Sequence, residues 1–173
     1  MFAEDYLDSV INVLRTFNAK HLVRIGSMYD AVPHTRPLLA SGISAKGTQI
    51  QGTQPSNYQG PTSIIFQLTE RAPDLNMEMV SLMVRLPQYL ELEEDFTGVA
   101  KALEILQPLY SLPDYIIDEQ RGIAQYTDVS RKLSDDENLC SLISRLEALY
   151  DERKSRDPTP EQTHIAPLAP EVQ

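Results

Sequence analysis

The sequence predicts an α/β fold, because patterns of helical type and of strand type alternate along the chain. Two segments have strand character. The first, His21 to Gly26, is short, apolar and bounded by glycine, and a helical pattern runs directly into it. The second, Met77 to Val84, is too continuously apolar at its end for a half-exposed edge, so we expect it inside the sheet.

The elements before the second strand follow from periodicity and composition. Apolar residues recur at spacings of three and four from Asp5 to Lys20, which predicts an amphipathic helix. A short strand is predicted at Leu38 to Ile43 and an irregular connection at Ser44 to Gly60. A helix then starts at Gly60-Pro61, since proline suits the first helical turn, and runs to about Ala72. The expected buried stripe of the first helix is Tyr6, Val10, Leu14 and Phe17.

Three helices are expected after the second strand. Asp95 caps the first of them, and Pro108 kinks or ends it. The other two are Ile117 to Leu133 and a helix that begins near Asp135-Asp136. A short acidic turn joins them, which predicts a C-terminal helical hairpin. The expected inward-facing residues are Val99, Leu103, Leu106 and Tyr110 in the first helix, Ile123, Tyr126, Val129 and Leu133 in the second, and Leu139, Leu142, Ile143, Leu146, Leu149 and Tyr150 in the third.

One domain is expected. The chain has 173 residues, of which 42% are hydrophobic, enough for one buried core. We assign the domain to residues 1–154 and a disordered tail to residues 155–173, which contain four prolines and little apolar material. The lone Cys140 falls in a helical pattern, where we expect it to be buried as a small apolar residue.

The charge of the chain limits its partners. A formal net charge of -10 and a pI of about 4.7 repel phosphate backbones and anionic lipid, and the lysines and arginines are scattered. We therefore expect neither a nucleic-acid nor a membrane partner. Apolar runs are too short for a membrane-spanning helix, and the start of the sequence is acidic where a signal peptide is basic, so a cytoplasmic location is expected.

The densest group of chemically active side chains lies just after the first strand. Gly26, Tyr29, Asp30, His34 and Arg36 fall within eleven residues at the carboxyl end of that strand, where open α/β sheets place ligand sites. Asp30 and His34 suit an acid–base or hydrogen-bonding pair, and Arg36 suits a carboxylate or phosphate ligand. The same residues suit a structural role, in which Asp30 and His34 cap the turn and Arg36 pairs with Asp30. The residues alone leave both interpretations open.

Metal, nucleotide and other cofactor sites are not predicted. His21 and His164 lie far from His34 in sequence and lack the paired spacing of metal ligands. Neither of the glycine-rich phosphate-binding motifs occurs in the sequence.

Three segments of the sequence carry a family resemblance. They are Arg24-Ile-Gly-Ser-Met-Tyr-Asp-Ala-Val-Pro-His-Thr-Arg-Pro37, Tyr58-Gln-Gly-Pro-Thr-Ser-Ile-Ile65 and Leu146-Glu-Ala-Leu-Tyr-Asp151. In this order and spacing they resemble the PAC2 family, named for the proteasome assembly chaperones. The resemblance implies a three-layer α/β/α sandwich, related in topology to phosphorylase and hydrolase-like domains and usually found in homo-oligomers.

The resemblance also implies a function. The eukaryotic and archaeal namesakes of the family help proteasome subunits to assemble and are not enzymes, whereas bacterial relatives mostly lack an assigned role. We therefore expect a non-enzymatic protein-interaction or assembly-chaperone-like domain with a proteasome-related or other protein client. The alternative is a small-molecule enzyme or sensor that uses Asp30, His34 and Arg36. The candidate partner- or ligand-binding residues are Gly26, Tyr29, Asp30, His34, Arg36, Tyr58, Gly60 and Pro61.

Two departures from the family bear on the partner and on the domain boundary. The sequence ends in Glu171-Val172-Gln173, whereas archaeal relatives end in a hydrophobic-tyrosine-any tripeptide that docks on the proteasome ring. Family domains also have further strands and helices ahead of the helix near Asp5, so we expect this bacterial-type chain to be the later part of a longer domain. An open sheet edge would follow, which either another subunit covers or which marks a truncated start.

Overall fold

The fold is described from a computed structural model, which covers residues 2–44, 47–56, 64–71 and 73–156. Within these residues the chain is a mixed α/β protein, as predicted, with three strands and five α-helices. In chain order the elements are α1 (Phe2–Thr16), β1 (His21–Asp30), β2 (Ala40–Ser44), α2 (Ile64–Arg71), β3 (Glu78–Pro87), α3 (Phe96–Tyr110), α4 (Glu119–Leu133) and α5 (Glu137–Arg156).

The three strands form one mixed sheet in the order β1-β3-β2. The central strand, β3, is buried along most of its length, which confirms the prediction that this strand lies inside the sheet. The amide of Glu78 bonds the carbonyl of Lys20, and the amide of Gln88 bonds that of Asp30, so β3 and β1 run parallel in constant register. Among the described residues, β1 has no strand neighbour other than β3.

The chain divides into two compact units, and all three strands contribute residues to both. The first unit comprises Met1–Gly26 and Ser41–Met83. Its core contains the buried Met77 and Met79, and the partly buried residues packed against this pair are Leu14, Ala19, Leu22 and Leu75. Apolar side chains from α1, β1 and β3 therefore meet in one cluster on one face of the sheet.

The second unit comprises Ser27–Ala40 and Val84–Gln173, and its described part contains α3, α4 and α5. Helices α3 and α4 pack against each other. Their close approach depends on Gly122, because a Cβ at this position would lie 2.8 Å from Thr97 Oγ1 and 3.0 Å from Thr97 Cα. As predicted, Asp95 caps α3, and its carboxylate accepts a 2.7 Å hydrogen bond from the amide of Gly98.

Several predicted buried faces were wrong. In α1 the buried residues are Leu7 and Ile11, whereas Tyr6 and Phe17 are 58% and 79% exposed. The helix carries two overlapping apolar stripes, and the core contacts Leu7 and Ile11 together with Leu14 of the predicted stripe. Three further residues that were expected to face inward are exposed, namely Val99, Ile123 and Leu149. Cys140 is also exposed rather than buried, and its thiol lies 3.6 Å from the carbonyl of Leu133.

Element boundaries differ from the predictions in one respect that matters for the site. Strand β1 continues to Asp30 instead of ending near Gly26, so part of the predicted loop is strand. The helix start at Gly60-Pro61 and the tail from residue 157 onward lie outside the described residues. Within the described ranges, no helix is both long and apolar enough to cross a membrane.

Candidate functional site

The segment 31–37 connects β1 to β2 within the second unit, and Asp30 fixes where it begins. The Asp30 carboxylate accepts a 2.7 Å hydrogen bond from the amide of Ala31 and forms a 3.1 Å ion pair with Arg85 of β3. The Arg85 side chain is 8% exposed, so the pair is largely shielded from solvent. Asp30 therefore turns the chain at the end of the strand and ties that turn to the central strand.

His34 is the buried centre of the segment, with 5% of its surface exposed. Its Nδ1 lies 2.7 Å from the Tyr89 hydroxyl, and its Nε2 lies 2.9 Å from the Ser130 hydroxyl of α4. The ring also makes edge-to-face contacts with Tyr89 and Tyr126 at centroid distances of 5.8 and 5.7 Å. Burial lowers the pKa of His34 below its ordinary value, and the charge of Glu147 opposes that shift in part, so the ring is neutral at pH 7.

One arrangement of protons satisfies all the groups around His34. The amide of His34 donates to the Tyr89 oxygen, and the Tyr89 hydroxyl donates to Nδ1. Nε2 then carries the proton and donates to Ser130, whose hydroxyl donates to the carbonyl of Tyr126. In a catalytic serine–histidine pair the proton moves in the opposite direction, from serine to histidine. The His34 network therefore holds the segment against α4 through Ser130.

Arg36 holds the same segment against α5. Its Nε and Nη2 donate to the two carboxylate oxygens of Asp151 at 3.1 and 3.0 Å, and Nη1 donates to Glu147 at 2.9 Å. The hydrogen bonds to Asp151 raise the pKa of Arg36, and the same bonds lower the pKa of Asp151. Thr35 also donates to Glu147, and the Tyr150 hydroxyl donates to the carbonyl of Pro37 at 2.9 Å. Side chains of α5 thus form hydrogen bonds with three consecutive residues of the segment, Thr35, Arg36 and Pro37.

An open cleft of about 630 Å³ lies beside the segment, between α3 and α4. Its α3 wall includes Ala100 and Lys101, and its α4 wall includes Ile123 and Thr127. The Lys101 ammonium is paired with Glu104 at 3.0 Å, so the cleft carries no concentrated charge of one sign from that helix. The 31–37 segment and the residue that follows it also line the cleft. They contribute His34, Thr35, Arg36, Pro37 and Leu38.

The predicted site residues do not converge on one point. Asp30 pairs with Arg85, His34 bonds Tyr89 and Ser130, and Arg36 bonds Glu147 and Asp151. The salt bridge between Arg36 and Asp30 that belonged to the structural alternative does not form, since each has another partner. Only His34 and Arg36 of these three line the cleft.

The other predicted site residues lie apart from this cleft or outside the described structure. Gly26 and Tyr29 lie on β1, and Tyr29 is 60% exposed. A Cβ at Gly26 would lie 3.2 Å from Met83 Sδ, so the absence of a side chain accommodates Met83 of the neighbouring strand. Tyr58, Gly60 and Pro61 fall outside the described residues.

Sequence reasoning missed the partners of the segment. Tyr89, Ser130 and Arg85 stand in unremarkable sequence surroundings, and nothing in their spacing marks them. Glu147 and Asp151 had a usable signal, because they belong to the Leu146–Asp151 segment that carries part of the family resemblance. Among the residues with described positions, no group of three or more histidine, cysteine, aspartate or glutamate side chains is placed to hold a metal ion.

Comparison with known proteins identifies the family. The sequence profile of the PAC2 family matches residues 1–118, about two thirds of the chain, and the chain therefore belongs to the PAC2 family. Helices α4 and α5 follow the matched region, so the contacts of His34 and Arg36 join the family region to residues beyond it. A comparison with curated proteins finds no match.

Solved structures share the fold. A Corynebacterium glutamicum protein of unknown function superposes with a TM-score of 0.76 at 17% identity, over 89% of this chain and 58% of that one. A Mycobacterium tuberculosis proteasome-assembly chaperone homologue superposes with a TM-score of 0.69 at 20% identity, over 83% of this chain and 62% of that one. A PAC2 family protein from Streptomyces avermitilis superposes with a TM-score of 0.66 at 20% identity, over 84% of this chain and 61% of that one. The chain thus spans less than two thirds of the length of each of these proteins.

Proposed function

We propose that this PAC2-family chain is a non-enzymatic protein-interaction domain with an assembly-chaperone-like role. The observation that carries the proposal is the use of the polar side chains around the 31–37 segment. Asp30, His34 and Arg36 are each committed to separate partners within the fold. A catalytic site requires groups that meet around a reacting atom, whereas Asp30 bonds a strand and His34 and Arg36 bond helices.

The family relationship supports a proteasome-related client. One structural relative is named a proteasome-assembly chaperone homologue, and family membership rests on two thirds of the chain. The proposal includes a homo-oligomer as the working form and a cytoplasmic location, which fits the acidic charge of the chain. It keeps the three-layer sandwich and the α4–α5 hairpin as the expected arrangement, with one domain at residues 1–154.

The proposed client surface is the solvent side of the 31–37 segment together with the cleft that it borders. Thr35 and Pro37 are exposed there, and the floor and walls of the cleft mix apolar side chains with hydroxyls. Such a mixture suits a peptide segment with alternating apolar and polar groups. Tyr58, Gly60 and Pro61, which lie outside the described residues, stay candidates for partner binding on the sequence alone.

The test is affinity purification of the tagged chain from its native cell, with detection of proteasome subunits. Ala100→Trp places a large ring in the cleft and should reduce recovery of proteasome subunits about tenfold or more. Ala124→Trp is the matched control, because Ala124 is exposed on α4 and does not line the cleft. Absence of proteasome subunits from the wild-type eluate, or equal recovery with both variants, would contradict the proposed client or the proposed surface respectively.

A small-molecule sensor is the second candidate, favoured by one observation. The cleft has the volume of a typical ligand pocket, and His34 and Arg36 lie in its wall. Native mass spectrometry of the same eluates distinguishes the two. A defined metabolite retained by the wild-type chain and by Ala124→Trp, but absent from Ala100→Trp, would establish the sensor and displace the client proposal.

A further inference from the structure

The cationic side chains that line the cleft between α3 and α4 are already neutralised by carboxylates of the fold. Arg36 bonds Glu147 and Asp151 together, so these three side chains keep one negative charge in excess. The Lys101 ammonium lies 3.0 Å from Glu104. An anion in the cleft would therefore meet paired cations beside surplus negative charge, which argues against the carboxylate or phosphate ligand that the sequence suggested for Arg36.

The carboxylates of the same lining are more accessible than its cations. The Glu104 side chain is 58% exposed, whereas that of Lys101 is 19% exposed. Glu119 is exposed in the first turn of α4, and none of the ion pairs among the described residues involves it. Together with the excess at Arg36, the cleft and the groups bonded to it have two more negative charges than positive ones. The electrostatic field of the cleft thus attracts a cation.

The hydroxyl groups of the α4 wall are also acceptors. Thr127 donates its proton to the carbonyl of Ile123 at 2.7 Å, and Ser130 donates to that of Tyr126 at 2.9 Å. The Tyr126 hydroxyl in turn donates to Asp95 at 2.7 Å. A hydroxyl whose proton is used within the fold can offer only lone pairs to a ligand. Thr127 and Ser130 are both exposed, so an occupant of the cleft that is rich in donors finds acceptors on this wall.

The cleft is long enough for several residues of an extended peptide. Its α4 wall includes residues from Glu119 to Ser130, which span about 16 Å at a rise of about 1.5 Å per residue. An extended chain covers that length with about five residues at about 3.3 Å each. Ile123 is 56% exposed in the same wall, so it offers an apolar contact between the acceptor groups.

We propose that the occupant of this cleft is an extended segment of the client protein that carries a lysine or arginine next to an apolar side chain. The basic group donates to Glu119 and to the hydroxyls of the α4 wall, while its aliphatic stem and the apolar neighbour contact Ile123. The inference names the chemistry of the client and rests on the surface given in the proposed function. Residues 157–173 of this chain do not fit, because they contain neither lysine nor arginine.

The first test measures the charge preference with three pools of pentapeptides. The pools carry arginine, glutamine or glutamate at the central position and an equal mixture of alanine, leucine, valine and serine at the other four. Mass spectrometry quantifies the peptides retained by the immobilised full chain at low ionic strength, where charge attraction is least screened. The arginine pool should be retained about tenfold more than the glutamate pool. Ala100→Trp, which fills the cleft, should remove the difference.

Two substitutions in the lining should change retention of the arginine pool in opposite directions. Glu119→Gln removes a carboxylate and should lower retention about threefold. Lys101→Met keeps the packed stem but removes the competing ammonium, and should raise retention about threefold. Glu137→Gln and Lys132→Met are the matched controls, because they change the charge of the chain equally at exposed positions outside the cleft. A gain of binding in Lys101→Met cannot result from damage to the fold.

The other outcomes overturn the inference in distinguishable ways. Equal retention of the arginine and glutamate pools, or preference for the glutamate pool, would show that the cleft does not select a cation. The same loss in Glu119→Gln and Glu137→Gln would assign the attraction to the net charge of the chain. Stronger retention of spermidine than of the arginine pool would make the occupant a small cation instead of a client segment.

Failure of this inference can be told apart from failure of the proposed function. The peptide pools are measured on the purified chain, whereas the proposed client is measured by recovery from the cell. Recovery of proteasome subunits without a preference for the arginine pool would contradict the basic segment alone. Preference for the arginine pool without proteasome subunits would support the basic segment and contradict the proposed client.

Discussion

The 31–37 segment and strand β1 adjoin in sequence and differ in how their side chains are used. In the segment, the side chains of His34 and Arg36 find partners on α4 and α5, and Asp30 at its start bonds a neighbouring strand. Along β1, the odd-numbered side chains are exposed, and they include the apolar Val23, Ile25 and Tyr29. The residues with the richest chemistry hold the fold together, and the chemically plain strand presents exposed apolar side chains.

Residues that stabilise this fold differ from surface residues in their burial and in their hydrogen bonds. A polar residue that is buried with all its hydrogen bonds made is costly to replace and has nothing left to offer a ligand. An exposed side chain on a strand costs little to change. The free energy of unfolding of matched variants measures that difference.

The largest effect is expected for His34→Ala. The substitution removes a buried ring and the bonds that its two nitrogens make with the Tyr89 and Ser130 hydroxyls, so the free energy of unfolding should fall by about 2–4 kcal/mol. The matched change on β1, Ile25→Ala, should alter it by less than about 0.5 kcal/mol, because Ile25 is 56% exposed. Urea denaturation at low protein concentration measures both. Equal losses in the two variants would remove the distinction between scaffold and surface.

The next effect concerns the helix pair that carries the His34 network. Gly122→Ala should gain helix propensity of up to about 1 kcal/mol, but its Cβ would meet backbone atoms of Thr97 at 3.0 Å, which cannot move aside as a side chain does. The clash outweighs the gain in helix propensity, and we expect the free energy of unfolding to fall by about 1–3 kcal/mol. Ala124→Ser on the exposed side of α4 is the control and should change little. Stabilisation by Gly122→Ala would show that α3 and α4 can separate without cost.

The types of the secondary-structure elements could be predicted from the sequence, whereas the tertiary contacts between them could not. The central position of β3 was predictable, because an apolar strand must be covered on both faces. The buried face of α1 was not, since Tyr6 and Leu7 begin two apolar stripes and periodicity alone cannot say which one meets the core. For the site, the partners of His34 lie 55 and 96 residues away, and Asp151 lies 115 residues from Arg36. Such pairs depend on tertiary packing, which leaves no spacing signal in a single sequence.

The smallest effect is a dependence of stability on pH that originates at His34. Burial lowers the folded-state pKa of this group below its unfolded value of about 6.5. As pH falls through 6.5, the unfolded chain binds a proton that the folded chain does not, so stability decreases until the folded-state pKa is reached. The slope contributed by one group is at most about 1.4 kcal/mol per pH unit.

Measurement of the melting temperature between pH 7.5 and 5.5 checks this dependence, with His34→Gln as the comparison. Gln retains a donor and an acceptor without titrating, so its profile should be flatter than that of the wild type over the same range. Ile25 on β1 is exposed, and Ile25→Lys should leave the slope unchanged. Parallel profiles for the wild type and His34→Gln would mean that the buried network tolerates a charged imidazole, in which case His34 would be free to bind an anion in the cleft rather than serve only as scaffold.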